Sequence, residues 1–303
     1  MVSSIATRAL SCAYIERGPA DGEPIVLLHG FPDDARTWDA IATELGADGY
    51  RTIAPYVRGF GPTRLLPHTE RTGETAAITR DVLDLADALG VERFHVVGHD
   101  WGARAAYSLA ALAPQRLRTI TALANGYATN VAGHEMTAEQ LRAYWYQWYF
   151  ATPRGERALR DARAAFCRDL WRLWSPTWAF DDAVYARTAE SFDNPDFVDV
   201  VLHSYRCRWG FAPFAACYAA DRAAIEAHPK IAIPTTVLMG ADDGATLPES
   251  TVGREAFFQG AYAVRVVPGC GHFLPRERPQ DVLAAVRALV AGAPQEGDAA
   301  ASR

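Results

Sequence analysis

No apolar run in the chain is long enough to span a bilayer, and Met1-Val2-Ser3-Ser4-Ile5-Ala6-Thr7-Arg8 lacks the basic start and apolar core of a secretion signal. We therefore expect no membrane partner and a cytoplasmic location. A basic excess is missing too. The formal net charge is −6, and no Lys/Arg cluster is long enough to track phosphates, so nucleic acid is not an expected partner. Cys12, Cys167, Cys207, Cys217 and Cys270 form no CxxC and no Cys/His metal spacing, which predicts buried free thiols and neither metal nor cofactor. Internal repeats and low-complexity tracts are likewise absent. What remains is the ordinary composition of a globular protein, 50% hydrophobic and 22% charged over 303 residues, enough for one large α/β domain with an insertion.

The most informative stretch is Phe94-His95-Val96-Val97-Gly98-His99-Asp100-Trp101-Gly102-Ala103. An apolar run breaks at a polar residue between glycines and restarts with helical spacing, which reads as strand, sharp turn, helix with Asp100 at the apex. Small residues on both sides allow a strained turn to push one side chain above a sheet. The apex of such a turn normally holds Ser. A carboxylate is already ionised at neutral pH, needs no base to activate it, and can displace a leaving group from saturated carbon. The product is an ester of the enzyme, so the chain should also supply a base for water, an oxyanion hole and a donor for the departing group.

Runs at 10–15, 25–28 and 53–57 predict strands, and the second ends in Leu28-His29-Gly30-Phe31-Pro32, where backbone N–H groups are left unpaired before a helix at 37–45. Those N–H groups are oxyanion-hole candidates. A helix at 75–89 leads into the apex strand, a helix at 102–112 leaves it, and 117–123 is a further strand. Strand–helix alternation implies a mostly parallel sheet flanked by helices. From 128 to 230 the alternation stops, and the sequence is rich in aromatics with helical runs at 138–150, 157–174 and 196–209. We expect a core domain from 1–127 and 231–303, a helical lid from 128–230, and a disordered tail at 292–303. Strands resume at 235–239 and 263–267, followed by a helix at 280–291.

Two strand ends complete the set. Gly240-Ala241-Asp242-Asp243-Gly244 follows one, and Gly269-Cys270-Gly271-His272-Phe273 follows the next. The chain order of nucleophile, acid and histidine, each at the carboxyl end of a strand, is that of the α/β-hydrolase fold. His272 is the candidate base and Asp243 its orienting acid, since Gly-x-x-Asp sets that carboxylate one turn past the strand, whereas Asp242 suits a solvated turn. Cys270 has no base placed to activate it and reads as structural.

His29-Gly30-Phe31-Pro32, Gly98-His99-Asp100-Trp101-Gly102 and Gly271-His272 resemble the α/β-hydrolase-fold epoxide hydrolases. The resemblance implies that Asp100, His272 and Asp243 are catalytic, that the backbone N–H groups of Phe31 and Trp101 form the oxyanion hole, and that two lid tyrosines bind the epoxide oxygen. Tyr146-Gln147-Trp148-Tyr149-Phe150 points to Tyr146 and Ser204-Tyr205-Arg206 to Tyr205, with Tyr144 and Tyr149 also available as lid packing. The lid residues Trp145, Trp148, Trp171, Trp174 and Trp178 argue for an apolar pocket of moderate size, and so for a small-molecule apolar substrate.

Dehalogenases share the Asp nucleophile and are the competing reading. Haloalkane dehalogenases usually carry Asn where this chain has Phe31. Haloacetate dehalogenases carry Arg after the nucleophile and His beside a lid Trp, where this chain has Trp101 and Gln147. Arg104 matches a second carboxylate-binding Arg of that group, and equally suits a salt-bridged helix residue. A ligand receptor on the same fold would be expected to lack one of the three candidate catalytic residues.

Overall fold

The computed structural model describes residues 1–129 and 136–292. The strands are β1 (Val2–Ala6), β2 (Leu10–Arg17), β3 (Pro24–Leu28), β4 (Arg51–Pro55), β5 (Arg64–Leu65), β6 (Phe94–His99), β7 (Leu117–Leu123), β8 (Thr235–Gly240) and β9 (Tyr262–Val267). The helices are α1 (Asp39–Ala47), α2 (Thr75–Ala88), α3 (Trp101–Leu112), α4 (Ala138–Ala143), α5 (Trp145–Phe150), α6 (Pro153–Trp174), α7 (Asp182–Ala189), α8 (Phe197–Arg208), α9 (Ala219–Glu226), α10 (Leu274–Glu277) and α11 (Pro279–Ala291).

The strands run in the order β1-β2-β4-β3-β6-β7-β8-β9, with β5 paired to β2. From β4 through β3 to β9 every pairing is parallel, whereas β1, β2 and β5 add an antiparallel margin. Burial on both faces explains the composition of β6 and β7. Every residue of β6, and every residue of β7 but Arg118, is buried, as expected of central parallel strands covered by helices. One layer of core lies against α2 and α3 through Val26, Val96, Ile120 and Leu109, the other against α1 and α11 through Leu27, Val97, Leu238 and Val286.

Between β7 and β8 the described residues contain α4 to α9, and no strand is found among those from 124 to 230. This insertion is fastened to the sheet end by buried aromatics. Trp171 Nε1 donates to the Pro32 carbonyl at 2.7 Å, and Trp174 stands 5.0 Å from the His272 ring. The expected tail lies, from 293 on, outside the described residues.

Two expectations need correction. Cys217 is exposed rather than buried, because it sits in a short turn before α9 whose inward residue is Tyr218. Arg104 is in no salt bridge among the described residues, and burial and the neighbouring Arg208 hold its pKa below the ordinary value. Among the described residues, no helix is long and apolar enough to cross a membrane.

Candidate active site

Asp100 has φ 53 and ψ −110, a left-handed strained conformation at the end of β6. The turn is possible because glycines stand two residues to either side of it and just past the facing end of β3. A Cβ on Gly102 would collide with the Leu28 carbonyl, and one on Gly30 would collide with the Asp100 carboxylate. The ends of β3 and β6 are thus dovetailed, and the Phe31 N–H donates to Asp100 Oδ1 at 3.1 Å. The Trp101 N–H also hydrogen-bonds the carboxylate. Burial raises the Asp100 pKa above the ordinary range, opposed by His272, Arg104 and the Trp101 amide, so two backbone donors and nearby positive charge favour its anion.

His272 Nδ1–H donates to Asp243 Oδ2 at 2.9 Å. Asp243 Oδ1 accepts the backbone N–H groups of Ala245 at 2.7 Å and Thr246 at 2.9 Å, so this carboxylate is fixed at both oxygens. With Nδ1 engaged, Nε2 is the free face of the ring and lies 4.0 Å from Asp100 Oδ2. That separation exceeds a hydrogen bond. Burial pulls the His272 pKa down, but the charge and hydrogen bond of Asp243, then Asp100, carry it above the ordinary value. Asp242 plays no part in this arrangement. Its backbone N–H donates to the Cys270 carbonyl, and burial pushes the neighbouring Cys270 thiol up, away from thiolate chemistry.

Tyr146 and Tyr205 meet over the turn, their rings 5.2 Å apart and both buried. Trp101 Nε1 donates to Tyr205 Oη at 3.2 Å, and Gln147 Nε2 donates to Tyr146 Oη at 2.9 Å. Burial raises both phenols above the ordinary tyrosine value, which keeps them protonated at neutral pH; Asp100 adds to the rise of each and Tyr146 to that of Tyr205, while Arg208 lowers both and the hydrogen bond with Tyr205 lowers Tyr146. Of the neighbouring candidates, Tyr149 stacks on Phe166, whereas Tyr144 lies close enough to Arg104 and Tyr146 to bear on both. Phe31, Phe150, Phe197 and Trp174 complete an apolar wall around the phenols.

Several residues that hold this site have no spacing signal in the sequence. Ser175 Oγ accepts the His272 N–H at 2.9 Å and donates to Glu277 Oε1 at 2.6 Å. Glu277 in turn accepts the N–H groups of Gly271 and Phe273, so the histidine loop is clamped from both sides. Only Glu277, five residues past the histidine in a short helix, offered a local clue. His99 Nε2 meets the His272 carbonyl at 2.8 Å, and burial lowers its pKa to about 3, so it is a neutral tie. His29 accepts the Val57 N–H and is equally structural. Among the described residues no group of three or more His, Cys, Asp or Glu side chains could hold a metal ion.

An α/β sheet with an elbow on β6, an acid after β8 and a histidine after β9 matches, over residues 23–279, the family described as alpha/beta hydrolase fold. The chain belongs to the α/β-hydrolase-fold family that includes the epoxide hydrolases. A solved structure from Klebsiella pneumoniae subsp. pneumoniae, provisionally named an epoxide hydrolase, is similar to this hydrolase at 37% identity and a TM-score of 0.91, covering 96% of this chain and 97% of that one. An epoxide hydrolase of Caballeronia sordidicola is 33% identical over 46% of this chain and 40% of its own length. A fluoroacetate dehalogenase of a Burkholderia species is 33% identical over 46% of this chain and 45% of its own. This hydrolase therefore spans under half the length of these two curated relatives.

Proposed function

We propose that this hydrolase opens small to medium apolar epoxides to vicinal diols through an ester on Asp100. The observation that carries the reading is the pair of buried, protonated phenols, Tyr146 and Tyr205, held above a nucleophilic carboxylate. An epoxide oxygen leaves as an alkoxide and needs an acid, whereas a halide leaves as a stable anion and does not. The stretch 128–230 then serves as the lid, carrying the donors for the leaving oxygen in an apolar pocket. Free thiols fit a reducing cytoplasm.

In the first step Asp100 Oδ2 bonds to an epoxide carbon, the C–O bond breaks, and one phenol passes its proton to the oxygen. Charge is conserved, since the carboxylate becomes an ester as the phenol becomes a phenolate. In the second, neutral His272 takes a proton from water through Nε2, and the hydroxide adds to the Asp100 carbonyl carbon. Phe31 and Trp101 N–H groups hold the oxyanion, a contribution of about 3 kcal/mol per donor. Collapse releases the diol and restores Asp100, and the proton on His272 returns to the phenolate by way of solvent.

Intact-protein mass spectrometry of His272→Gln after mixing with an aryl epoxide tests this. One equivalent of added epoxide mass is expected, with little in the wild type and none in Asp100→Ala. Turnover near the wild-type rate in Asp100→Ala would sink the reading.

A second reading, haloacid dehalogenation at the same carboxylate, is favoured by one observation. Arg104 lies close enough to Asp100 to influence its titration, makes no ion pair among the described residues, and is held below its ordinary pKa by burial and by Arg208. A substrate carboxylate would compensate that charge. Halide release from haloacetate, faster than epoxide opening, decides for this alternative.

A further inference from the structure

Each phenol over Asp100 receives a hydrogen bond from a nitrogen that can only donate. For Tyr205 the donor is the Trp101 indole itself. For Tyr146 the direction is set one step further back. Trp209 Nε1 has no acceptor capacity, so the Gln147 atom 2.8 Å from it has to be the amide oxygen. The amide nitrogen is thereby turned to Tyr146 Oη, and Tyr146 has to accept. Gln147 is 1% exposed, and flipping its amide would set donor against donor at Trp209 and strand a buried N–H. Trp209 is itself seated against Trp148, ring to ring at 4.6 Å.

We propose that Trp209 and Gln147 are positioning residues for Tyr146, an inference that rests on the epoxide reading. By filling a lone pair of the phenol oxygen, the Gln147 N–H leaves the hydroxyl proton directed to the substrate oxygen. As the Asp100–carbon bond forms and the C–O bond breaks, that proton moves to the leaving oxygen, and the same N–H stabilises the phenolate left behind. The indole of Trp101 does the same for Tyr205, so the two acids are wired alike from opposite sides.

The test is the rate of adduct formation in a single turnover, read in the His272→Gln background. Gln147→Glu has the same shape and keeps an oxygen for Trp209, but it offers Tyr146 an acceptor and so draws the proton away from the substrate. Adduct formation should fall by about 10- to 100-fold near pH 8, and by less in Gln147→Met, which removes the bond without reversing it. As the pH is lowered through the new carboxyl's pKa, the protonated acid can donate to Tyr146, and the ratio of the Gln147→Glu rate to its parent's should rise. Asp100, Arg104 and Arg208, with the phenols of Tyr144 and Tyr205, are the charged and titratable groups bearing on Tyr146, and all are present in parent and variant, so the ratio cancels their titration. Trp209→Phe keeps the ring against Trp148, frees the amide to rotate, and should slow adduct formation several-fold.

Equal rates and parallel pH profiles in Gln147→Glu and Gln147→Met, or an unchanged rate in Trp209→Phe should Gln147→Glu not fold, would reduce the pair to a tie between α5 and α8. Tyr146→Phe in the same background separates this from the wider reading. If it leaves adduct formation unchanged, the acid role of Tyr146 fails. If it slows adduct formation while Gln147→Glu does not, only the positioning role is lost.

Discussion

Asp243→Asn should separate the two halves of the reaction more cleanly than removal of the histidine. The carboxylate is held at both oxygens, Oδ1 by the N–H groups of Ala245 and Thr246 and Oδ2 by His272 Nδ1–H at 2.9 Å. An Asn amide in that place has to keep its oxygen toward the two backbone donors, because the reverse would oppose donors at two buried contacts, at about 1–3 kcal/mol each. Its nitrogen then donates to His272 Nδ1, and the imidazole proton moves to Nε2. Nε2 is the atom that faces Asp100 Oδ2 across 4.0 Å, and once protonated it cannot take a proton from water. Hydrolysis of the ester should therefore fall by about 10²- to 10⁴-fold, or roughly 3 to 5 kcal/mol in barrier, while alkylation needs no base and should survive. Rapid quench followed by intact-mass analysis reads both steps, with the variant accumulating one equivalent of ester. Asp243→Ala permits either tautomer and should be the less damaged per folded molecule. An Asp243→Asn ester that decays within about threefold of the wild-type rate would refute the reasoning, since general-base catalysis is worth far more than that.

Tyr146→Phe and Tyr205→Phe should each slow alkylation by an epoxide by roughly 10- to 1,000-fold, and any halide release far less, as followed by single-turnover adduct formation and a halide electrode. Steady-state hydrolysis requires neutral His272, whose pKa is raised by Asp243 and Asp100 against burial, so the acid limb should fall as pH drops through a midpoint above ~6.5. A midpoint below that value would mean that the Asp243 contact is not made in solution. Arg58 is fully buried, paired with Asp81 at 2.6 and 2.7 Å and bonded to Tyr218 Oη at 3.2 Å, so Arg58→Met should strand the Asp81 carboxyl and cost about 3–5 kcal/mol in urea unfolding. A loss under about 1 kcal/mol would mean that the pair is not buried in solution.

The sheet was legible wherever a strand carried its own apolar run. Residues 117–123 were read to the residue as β7, and 94–99 stood out because the break at Gly98 to Gly102 is itself a backbone requirement. β1 was not, since Val2–Ala6 is mostly exposed and draws its strand character from pairing with β2 rather than from burial. β5 is two residues long and equally dependent on its partner. The same division holds in the candidate site. Asp100, Asp243 and His272 were recognisable because each stands within two residues of glycine just past a strand, a local signature. Gln147 and Trp209, or Ser175 and His272, are related only through contacts across 62 and 97 residues, and no local pattern announces such pairs.

The dovetail between Gly30, Leu28 and the Asp100 turn is built from backbone, glycine and the Asp100 carboxylate, whereas both phenols stand on helices inserted between β7 and β8. On the proposed mechanism, Asp100, Asp243 and His272 thus stand on one set of segments and the donors for the departing oxygen on another. Substitutions across α5 and α8 can drift, and with them the range of compounds accepted, without retuning the turn that holds Asp100. In a lineage of such hydrolases, change of leaving group should be recorded mainly between residues 138 and 209.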